Sequence, residues 1–469
     1  MKEQFDKEAF RDSVATISDE GKRNWIFPKK PKGKYYTWRT RVSWVLLLFL
    51  FGAPFIRVNG EPFILLNVLE RKFVIFGIVF WPQDFHLFFL AMITGIIGIV
   101  LFTVIYGRIF CGWICPQTIF MEMVFRKIEY WIDGDRGAQR KLSNSDWTGE
   151  KIRKRVLKHT IFILISIMIS NVFLAYLVGS ERLFELINDG PKANIGNFAA
   201  LLLFSGMFYF VFGWFREQVC IVACPYGRLQ GVMLDKKSMV VAYDYVRGEG
   251  RAKFKKGEDR KTAGKGDCID CNQCVDVCPT GIDIRNGTQL ECINCTACMD
   301  ACDMMMEKVG LPKGLIRYAS EENIAQKKPW KFTTRTIAYT VVLTVMTGLL
   351  TFFLLTRSDI ESIILRVPGK LYITEEDGTI SNLYNYKLIN KKKDELQVEL
   401  KLISHEGVIQ LIGSPEIIVP AAGLKEGTFF LKISPDVLES RKTRIKVGIF
   451  DEEGTMIDAF KTNFNGPVR

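Results

Sequence analysis

A chain of 469 residues is long enough for about three domains, and its formal net charge is +12. Hydrophobic residues make up 48% of the chain and its mean hydropathy is positive, which argues for insertion into a membrane. A basic excess also occurs in nucleic-acid-binding proteins, but here it is concentrated beside hydrophobic runs, so we expect a lipid bilayer and no nucleic acid as partner.

Five hydrophobic runs approach the roughly 17 to 25 residues with which a helix spans a bilayer. Their approximate bounds are 42–56, 85–106, 160–179, 197–215 and 336–355. The first run is the shortest of the five. A sixth run, 73–81, is too short to span and precedes Pro82, so we expect it to be an interfacial or re-entrant segment. The sequence therefore predicts an α-helical membrane protein with about five transmembrane helices.

Lys and Arg residues are unevenly distributed among the loops that join these runs. Residues 1–43 and 107–159 contain eleven each, whereas residues 57–83 contain three and residues 180–196 contain two. Because basic loops stay in the cytoplasm, the N-terminus, the 107–159 loop and the segment 216–334 are predicted to be cytoplasmic. Five spans then put the C-terminus on the outer face. Residues 1–40 lack the apolar core and cleavage site of a signal peptide.

Two motifs of the form C-x3-C-P follow the second and fourth runs. Their thiols are Cys111 and Cys115 in RIFCGWICPQ, and Cys220 and Cys224 in VCIVACPYGR. Residues four apart share one face of a helix, with β-carbons about 5 to 6 Å apart, so each pair could bind one soft ion. Pro116 and Pro225 predict a helix end or kink at the preceding cysteine. If the two runs pack together, the four thiolates converge at the cytoplasmic edge of the membrane.

Thiolates select Cu(I), zinc or iron–sulfur clusters, and a membrane site without histidine favours Cu(I) over Cu(II). We therefore predict that the four motif thiols are catalytic and bind copper. A dithiol/disulfide pair, a third iron–sulfur cluster and a purely hydrophobic role for buried cysteine remain open. Glu122 and Glu129, which follow the first motif, could relay protons or could be exposed helix charges.

The strongest chemical signal lies in the long segment after the fourth run. It reads CIDCNQCVDVCPTG from Cys268 and CINCTACMDAC from Cys292, which is C-x2-C-x2-C-x3-C twice. In two-cluster bacterial ferredoxins, three thiolates of one run and the fourth of the other hold each cubane. We predict two [4Fe-4S] clusters, one at Cys268, Cys271, Cys274 and Cys302, the other at Cys292, Cys295, Cys298 and Cys278. Zinc sites usually have longer gaps, and a reducing cytoplasm disfavours disulfides.

Two segments beside these cysteine runs have weaker signals. Residues 251–265 are basic and are predicted to be a solvated, flexible linker, with binding to acidic lipid as the second choice. Met299 and the methionines at 304–306 could bind Cu(I), but packing against the cluster is the better prediction, because methionine readily fills irregular gaps.

From about residue 367 the chain alternates apolar and polar positions in short runs such as LQVELKLIS and RIKVGIFD. Seven or eight strands in about 100 residues predict an immunoglobulin-like sandwich, and we interpret it as a docking or scaffold module. The predicted domains are a basic segment 1–41, a membrane domain 42–234, a linker and ferredoxin domain 235–334, a fifth transmembrane helix 335–356, and the sandwich 366–469.

Several longer stretches carry a family resemblance. They are FGIVFWPQDF from Phe76, GRIFCGWICPQT from Gly107, CIVACPYGRLQGVMLD from Cys220, YDYVRGEGR from Tyr243, both ferredoxin runs, and GLIRYAS from Gly314. Together they resemble the cbb3-type cytochrome c oxidase accessory proteins, called CcoG, FixG or RdxA, over nearly the whole chain. The resemblance implies a cupric reductase of the bacterial inner membrane that supplies Cu(I) for assembly of the oxidase. It also implies that the eight ferredoxin cysteines bind clusters and that the four motif thiols handle copper.

The chain contains no G-x-G-x-x-G nucleotide motif, so we expect an external electron donor, either a cytoplasmic one or a membrane quinol. Oxidase subunits or copper-delivery proteins are the further expected partners. Two alternatives stay open, namely an electron-transfer subunit of a quinol-linked respiratory chain and a non-enzymatic factor for assembly of copper or oxidase subunits.

Overall fold

The computed structural model describes residues 16–467, apart from 18–19, 59, 69–71, 81–83, 194, 328–333, 357–359, 370, 393, 414–415, 422 and 439. Pro82 and the last residue of the run 73–81 therefore lie outside the described residues. The chain divides into two compact units, one made largely of residues up to Leu350 and the other largely of residues from Thr351 onward.

Five long helices lie in the described chain: α1 (Lys34–Gly52), α2 (Phe85–Tyr106), α3 (Gly149–Val178), α4 (Ile195–Phe210) and α5 (Thr334–Leu355). By length and composition, four described segments could cross a membrane: Phe85–Tyr106, Gly149–Val178, Ile195–Phe215 and Thr336–Leu355. At most 33% of the apolar window in each is buried, so most of each apolar surface is free to contact lipid. These four coincide with four of the five predicted spans.

The first predicted span falls on α1, which does not belong to these four. Charged residues occupy the first turns of α1, at Lys34, Arg39 and Arg41, so its apolar part is short. The Asp300 carboxylate accepts hydrogen bonds from the backbone N–H groups of Tyr35 and Tyr36, at 3.1 and 2.7 Å, and so caps the helix. Whether α1 spans the membrane, and with it the total of five spans, therefore stays a prediction.

Shorter elements connect the long helices. The short helices of this region are Ile109–Trp113, Pro116–Ile119, Arg126–Ile132, Arg136–Asn144, Ser180–Ala193 and Pro225–Met233, with a 3-10 turn at Ala53–Phe55. Three π-helical segments are Phe120–Phe125, Val211–Phe215 and Val219–Ala223. Two small sheets follow α1, namely β1 (Arg57–Val58) with β2 (Glu61–Pro62), and β3 (Ile64–Asn67), β4 (Lys72–Ile75) and β5 (Ile78–Phe80). Residues 73–80 of the predicted run thus lie in strands β4 and β5 and in the turn between them.

Aromatic side chains form the core between these helices. Phe125 stacks on Phe212, with ring centroids 4.7 Å apart, and meets Phe162 edge to face at 4.8 Å. All three side chains are at least 97% buried, together with Ile169 and Met121. This packing joins the π-helical segment after the first thiol motif to α3 and to the π-helical segment that extends α4.

The ferredoxin region pairs strand β6 (Val240–Tyr243) with β7 (Ile316–Ala319) in antiparallel register. Its helical segments are Tyr245–Gly248, Gln273–Asp276, Ile284–Asn286, Ala297–Lys308 and Glu321–Gln326. Val241 and Ile316 of the two strands are buried in one core with Cys268, Cys274 and Cys302. The two strands therefore close the cysteine runs into one compact body.

The second unit is a two-layer β-sandwich. Its strands are β8 (Ile360–Arg366), β9 (Ile373–Thr374), β10 (Ile380–Asn390), β11 (Leu396–Leu402), β12 (Gly407–Leu411), β13 (Ile417–Val419), β14 (Leu424–Ile433), β15 (Lys442–Phe450) and β16 (Met456–Asn465), with a 3-10 turn at Pro435–Val437. One sheet has the order β12-β14-β10-β8 with β9 beside β10, and the other has the order β13-β11-β15-β16.

Buried residues from both sheets form one core in the sandwich. Phe429 and Tyr384 come from the first sheet, and Val447 and Phe464 come from the second. Each of these four side chains has no exposed surface, and the Tyr384 hydroxyl donates to the Asn463 carbonyl across the sheets at 2.8 Å. The alternating pattern of the sequence therefore predicted the two-layer arrangement, although it missed strand β8, which ends before the pattern begins at about residue 367.

Candidate metal centre

The two ferredoxin cysteine runs have the same backbone conformation. Asp270 and Asn272 in the first run, and Asn294 and Thr296 in the second, all have φ between 52° and 64°. This left-handed conformation is unfavourable for residues other than glycine, and asparagine and aspartate tolerate it best. It turns the chain twice within each run, so that three successive cysteines face the same side.

Each predicted ligand set lines its own cavity. One cavity is lined by Cys268, Cys271, Cys274 and Cys302, together with Tyr243, Met306 and Leu315. The other is lined by Cys278, Cys292, Cys295 and Cys298, together with Val241, Ile282 and Ile293, and Cys274 also borders it. The grouping is the one that the spacing predicts, with the fourth cysteine of each run contributed to the other set. Met306 is 1% exposed, which agrees with the packing role predicted for this methionine.

The chemistry of these cavities suits [4Fe-4S] clusters. Burial raises the pKa of the Cys274 and Cys292 thiols to about 12, so as free groups they would stay protonated at neutral pH. A thiolate in such surroundings is stabilised by a bound metal, and binding of that metal releases the proton. Four thiols around an apolar cavity therefore fit a cluster, and the ligand assignment stays a prediction.

In each C-x3-C-P motif a helix ends just before the second cysteine, so the two cysteines do not lie on one continuous helix face. Cys115 has φ −57° and ψ 123°, and Cys224 has φ −76° and ψ 106°, so both residues leave the helical conformation. Pro116 and Pro225 then begin the next helices. The predicted break before each proline is confirmed, because proline disfavours the helical conformation of the preceding residue. The predicted sharing of one α-helical face by each pair is wrong for the same reason.

The four motif thiols lie near enough to one another to influence each other's pKa. Burial raises the pKa of Cys111, and the negative charges of Cys115 and Cys224 raise it further. Burial likewise raises the pKa of Cys220 to about 12, with additional contributions from Cys115 and Cys111. Within the described part of the chain, no three His, Cys, Asp or Glu side chains are close enough to bind a single metal ion, and this holds for the ferredoxin cysteines too.

Three polar side chains that the sequence analysis missed surround Cys111. The Cys111 thiol donates to Gln230 Oε1 at 2.8 Å, and Gln230 Nε2 donates to Thr103 Oγ1 at 2.7 Å and to the Tyr226 hydroxyl at 2.8 Å. The Cys224 sulfur accepts from the Gly227 N–H at 3.3 Å. Gln230 and Tyr226 lie on one helix, four residues apart, which is the only sequence signal that could have identified them.

Two buried arginines lie between the thiols and the second cluster cavity. Arg108 is 2% exposed and donates to the Leu290 carbonyl, and its charge lowers the pKa of Cys111 against the larger, raising effect of burial. Arg39 is 3% exposed and donates to the Gly112 carbonyl at 2.7 Å. Neither arginine forms an ion pair with a carboxylate of the described residues. Buried charges are normally paired. Because these two arginines have no carboxylate partner there, their positive charge can stabilise the thiolates.

The first thiol motif packs directly on the second ferredoxin run. A β-carbon added at Gly112 would overlap the Ile293 carbonyl and would lie 3.0 Å from the Cys295 α-carbon. Gly107, with φ +63°, also makes a close contact, because a β-carbon added there would lie 2.8 Å from the side-chain nitrogen of Asn294. Backbone contact this close requires glycine, and it brings the thiols beside the loop that carries Cys292 and Cys295.

A network of eight buried or half-buried charges lies next to this site. Its members are Arg23, Arg126, Lys158, Arg216, Glu122, Glu129, Asp133 and Glu217. Arg126 is 1% exposed and pairs with Glu122 at 2.5 Å and with Glu217 at 3.5 Å. Glu129 accepts from both terminal nitrogens of Arg216, at 3.1 and 2.7 Å. Glu122 and Glu129 are therefore buried and paired, which corrects the alternative that they are exposed helix charges.

We expect the substitution Arg126→Met to destabilise the protein by about 3 to 5 kcal/mol, because it leaves Glu122 and Glu217 buried without their partner. The thermal unfolding midpoint of purified protein in detergent measures this effect. Arg140→Met removes an exposed arginine from the helix Arg136–Asn144 and should change stability by no more than about 0.5 kcal/mol. Equal midpoints for the two variants would contradict a structural role for the network.

Comparisons with known proteins agree with this architecture. Family models match residues 215–321 as a 4Fe-4S dicluster domain, residues 88–139 as a 4Fe-4S binding domain, and residues 350–467 as an IG-like fold at the C-terminus of FixG. The chain thus has two 4Fe-4S-binding regions, and its C-terminal sandwich is IG-like.

Three curated proteins are similar over most of the chain. Protein RdxB of Cereibacter sphaeroides is 36% identical over 86% of this chain and 87% of its own. Protein RdxA of the same organism is 33% identical over 95% and 98%, and nitrogen fixation protein FixG of Rhizobium meliloti is 32% identical over 81% and 79%. A solved FixG-related protein from Vibrio parahaemolyticus aligns with 24% of this chain and 100% of its own, at 20% identity and a TM-score of 0.20, too low to carry an argument.

Proposed function

The chain belongs to the family of the RdxA, RdxB and FixG proteins, and on that premise we propose that it reduces Cu(II) to Cu(I) at its four motif thiols. The Cu(I) would serve assembly of a cbb3-type cytochrome c oxidase. An iron–sulfur protein with apolar helices is suited to electron transfer at a membrane. Copper as the acceptor, and the oxidase as the destination, are the proposed parts.

One observation carries the proposal, and it is the contact between Gly112 and the backbone of residues 293–295. Gly112 lies between Cys111 and Cys115, and residues 293–295 comprise the two residues after Cys292 and the second cysteine of that run, Cys295. A thiol pair that served only as hydrophobic filling would not require glycine at this contact. The contact gives electrons a short route between the ferredoxin region and the thiols.

When bound, a [4Fe-4S] cluster supplies one electron at a time and does no bond chemistry. Reduction of one Cu(II) consumes one electron and no proton, so the stoichiometry suits such a donor. The thiolates of Cys111, Cys115, Cys220 and Cys224 are soft ligands that favour Cu(I), and this makes bound Cu(II) easier to reduce. Arg108 offsets part of the negative charge that these thiolates bring together.

The membrane placement is also part of the proposal. The distribution of Lys and Arg supports a cytoplasmic ferredoxin region at the bacterial inner membrane. Because α5 separates the ferredoxin region from the sandwich, the sandwich would lie on the outer face, where oxidase subunits or copper-delivery proteins could dock. Alkaline phosphatase fused after residue 469 would then be active, and an inactive fusion would contradict the cytoplasmic placement of the ferredoxin region.

The experiment that tests the function is an anaerobic titration of reduced, cluster-replete protein with Cu(II). Cluster absorbance reports the electrons lost, and a Cu(I)-specific chelator reports the Cu(I) formed. We expect one Cu(I) for each electron that leaves the clusters. If Cu(II) leaves the reduced clusters unchanged, copper is not the acceptor. Transfer to a cytochrome after reduction by quinol would then favour the respiratory subunit, and Cu(I) binding without turnover would favour the assembly factor.

A second candidate is a third [4Fe-4S] cluster at the same four thiols. It is favoured by the match of residues 88–139 to a 4Fe-4S binding domain. The cysteines in that range are Cys111 and Cys115, so a cluster bound there would use these two thiols. A cubane needs four thiolates, and Cys220 and Cys224 are available to complete the set. Iron analysis separates the candidates, because the copper site predicts eight iron atoms per chain and the third cluster predicts about twelve.

A further inference from the structure

We infer that the basic segment 251–265 is the docking surface for a soluble, acidic, one-electron carrier protein, which delivers electrons at the centre of Cys268, Cys271, Cys274 and Cys302. The inference rests on the proposed function only for the direction of electron flow, because the carrier protein would supply the electrons that the thiol site consumes.

The segment is anchored to a ligand of that centre. Arg260 is 6% exposed and donates to the carbonyls of Cys268 and Gly266, at 3.0 and 2.6 Å. The Ala252 N–H also donates to the Cys268 carbonyl, at 3.3 Å. These bonds hold the segment against the first cysteine run at its start and at Arg260. The prediction of a flexible linker is therefore wrong at these points, because Arg260 pairs with backbone that is already fixed by the cysteine run.

The outer surface of the segment is positively charged. Residues 251–265 contain seven Lys and Arg residues and two acidic residues. Three exposed lysines, at positions 253, 255 and 256, form no ion pair with the described residues. Phe254 stands among them with 41% of its side chain exposed. A hydrophobic anchor surrounded by unpaired charge is typical of a protein docking surface, where charge raises the association rate and the apolar group adds affinity.

The opposite side of the ferredoxin region is covered. The loop of Cys292 and Cys295 packs against Gly112, so no carrier protein can approach the second centre from there. In the first run, by contrast, Asp270 and Asn272 between the cysteines are exposed. We therefore place the entry of electrons at the first centre.

The acidic residues near the first centre do not neutralise Lys253, Lys255 and Lys256. Asp270 and Asp283 both pair with Arg285, at 2.7 and 2.6 Å, and Asp267 pairs with Arg247 at 2.5 Å. Within the segment, Lys265 pairs with Glu258, so Lys253, Lys255 and Lys256 remain the uncompensated charge beside the first centre. They fit a partner of negative charge, and charge of this kind steers association in a salt-dependent way.

The transfer itself is a one-electron exchange. The reduced carrier loses one electron, the centre held by the four cysteines gains it, and no proton, bond or leaving group is involved. An acidic [2Fe-2S] ferredoxin, reduced with dithionite and freed of excess reductant, is a suitable probe because it carries one electron and a net negative charge.

The test measures binding and reduction with the full-length protein in detergent. The charge-reversal variant combines Lys253→Glu, Lys255→Glu and Lys256→Glu. The matched control combines Arg441→Glu, Lys442→Glu and Arg444→Glu, three exposed residues of the sandwich. We expect the dissociation constant for the ferredoxin to rise about tenfold or more in the first variant and to change less than about twofold in the control. The reduction rate should fall in parallel, and both effects should shrink as salt increases.

Reduced methyl viologen, a cation, should reduce both variants as fast as the parent protein, which shows that their clusters are intact. Unchanged ferredoxin binding in the charge-reversal variant would overturn the inference. It would also be overturned if the variant lost only binding to vesicles containing phosphatidylglycerol, since the segment would then be a lipid-binding surface. Loss of ferredoxin binding with normal Cu(II) oxidation of reduced clusters supports the inference, whereas normal binding without Cu(II) reduction removes the proposed function alone.

Discussion

Replacing Cys111 and Cys115 with serine is expected to abolish Cu(II) reduction while the absorbance and the eight iron atoms of the two ferredoxin clusters remain. The eight ferredoxin cysteines line cavities that contain neither residue, so loss of the two thiols should leave those clusters bound. Serine is a hard ligand that does not select Cu(I), and its hydroxyl is not ionised at neutral pH. The measurement is the same anaerobic titration, performed on the variant and the parent protein together.

Cys220→Ser with Cys224→Ser provides the matched comparison, because these thiols occupy the same site on another segment. Both variants should lose Cu(II) reduction to the same extent. Retained reduction in either one would remove that pair from the copper site. If either variant lost about four iron atoms along with activity, the third-cluster candidate would replace the copper site.

The substitution Gly112→Ala is expected to disrupt the contact between the thiol motif and the ferredoxin region. Its β-carbon would overlap the Ile293 carbonyl, and backbone atoms cannot move aside as the end of a flexible side chain can. Overpacking of this kind costs about 1 to 3 kcal/mol, or forces the two segments apart. In the second case the route for electrons lengthens, so Cu(II) reduction slows while both clusters stay bound. Stopped-flow oxidation of the reduced clusters by Cu(II) measures the rate.

Gly137→Ala is the matched control for this prediction. Gly137 lies on the exposed helix Arg136–Asn144, and an added β-carbon would meet no atom within 4 Å. Alanine favours helix at such a position, so stability should be unchanged or should rise by up to about 1 kcal/mol. If the Gly112 variant reduced Cu(II) as fast as this control, the contact would not be the route for electrons.

The spacing of the cysteines predicted the ferredoxin region well, for a local physical reason. Three cysteines within seven residues can face one cluster only if the chain turns twice, and Asp270 and Asn272 supply those turns. Hydropathy likewise predicted four helices, because the part of a helix that faces lipid must be apolar. Three of them agree with the prediction within a few residues at both ends, whereas α3 begins at Gly149, well before the predicted start at residue 160, because its first turns are charged. The run 73–81 was harder to interpret, since nine apolar residues suit a strand as well as a helix turn.

The sequence by itself determined which residues are able to bind clusters and soft metal ions, and which segments are apolar enough for lipid. These properties depend on residue type and on spacing within about ten positions, so they can be seen in the chain alone. The tertiary structure alone decided that Gly112 touches the second ferredoxin run, that Arg39 and Arg108 lie buried there, and that Glu129 pairs with Arg216. These contacts join residues roughly 70 to 180 positions apart, and whether such distant residues meet is decided by how the helices and loops pack.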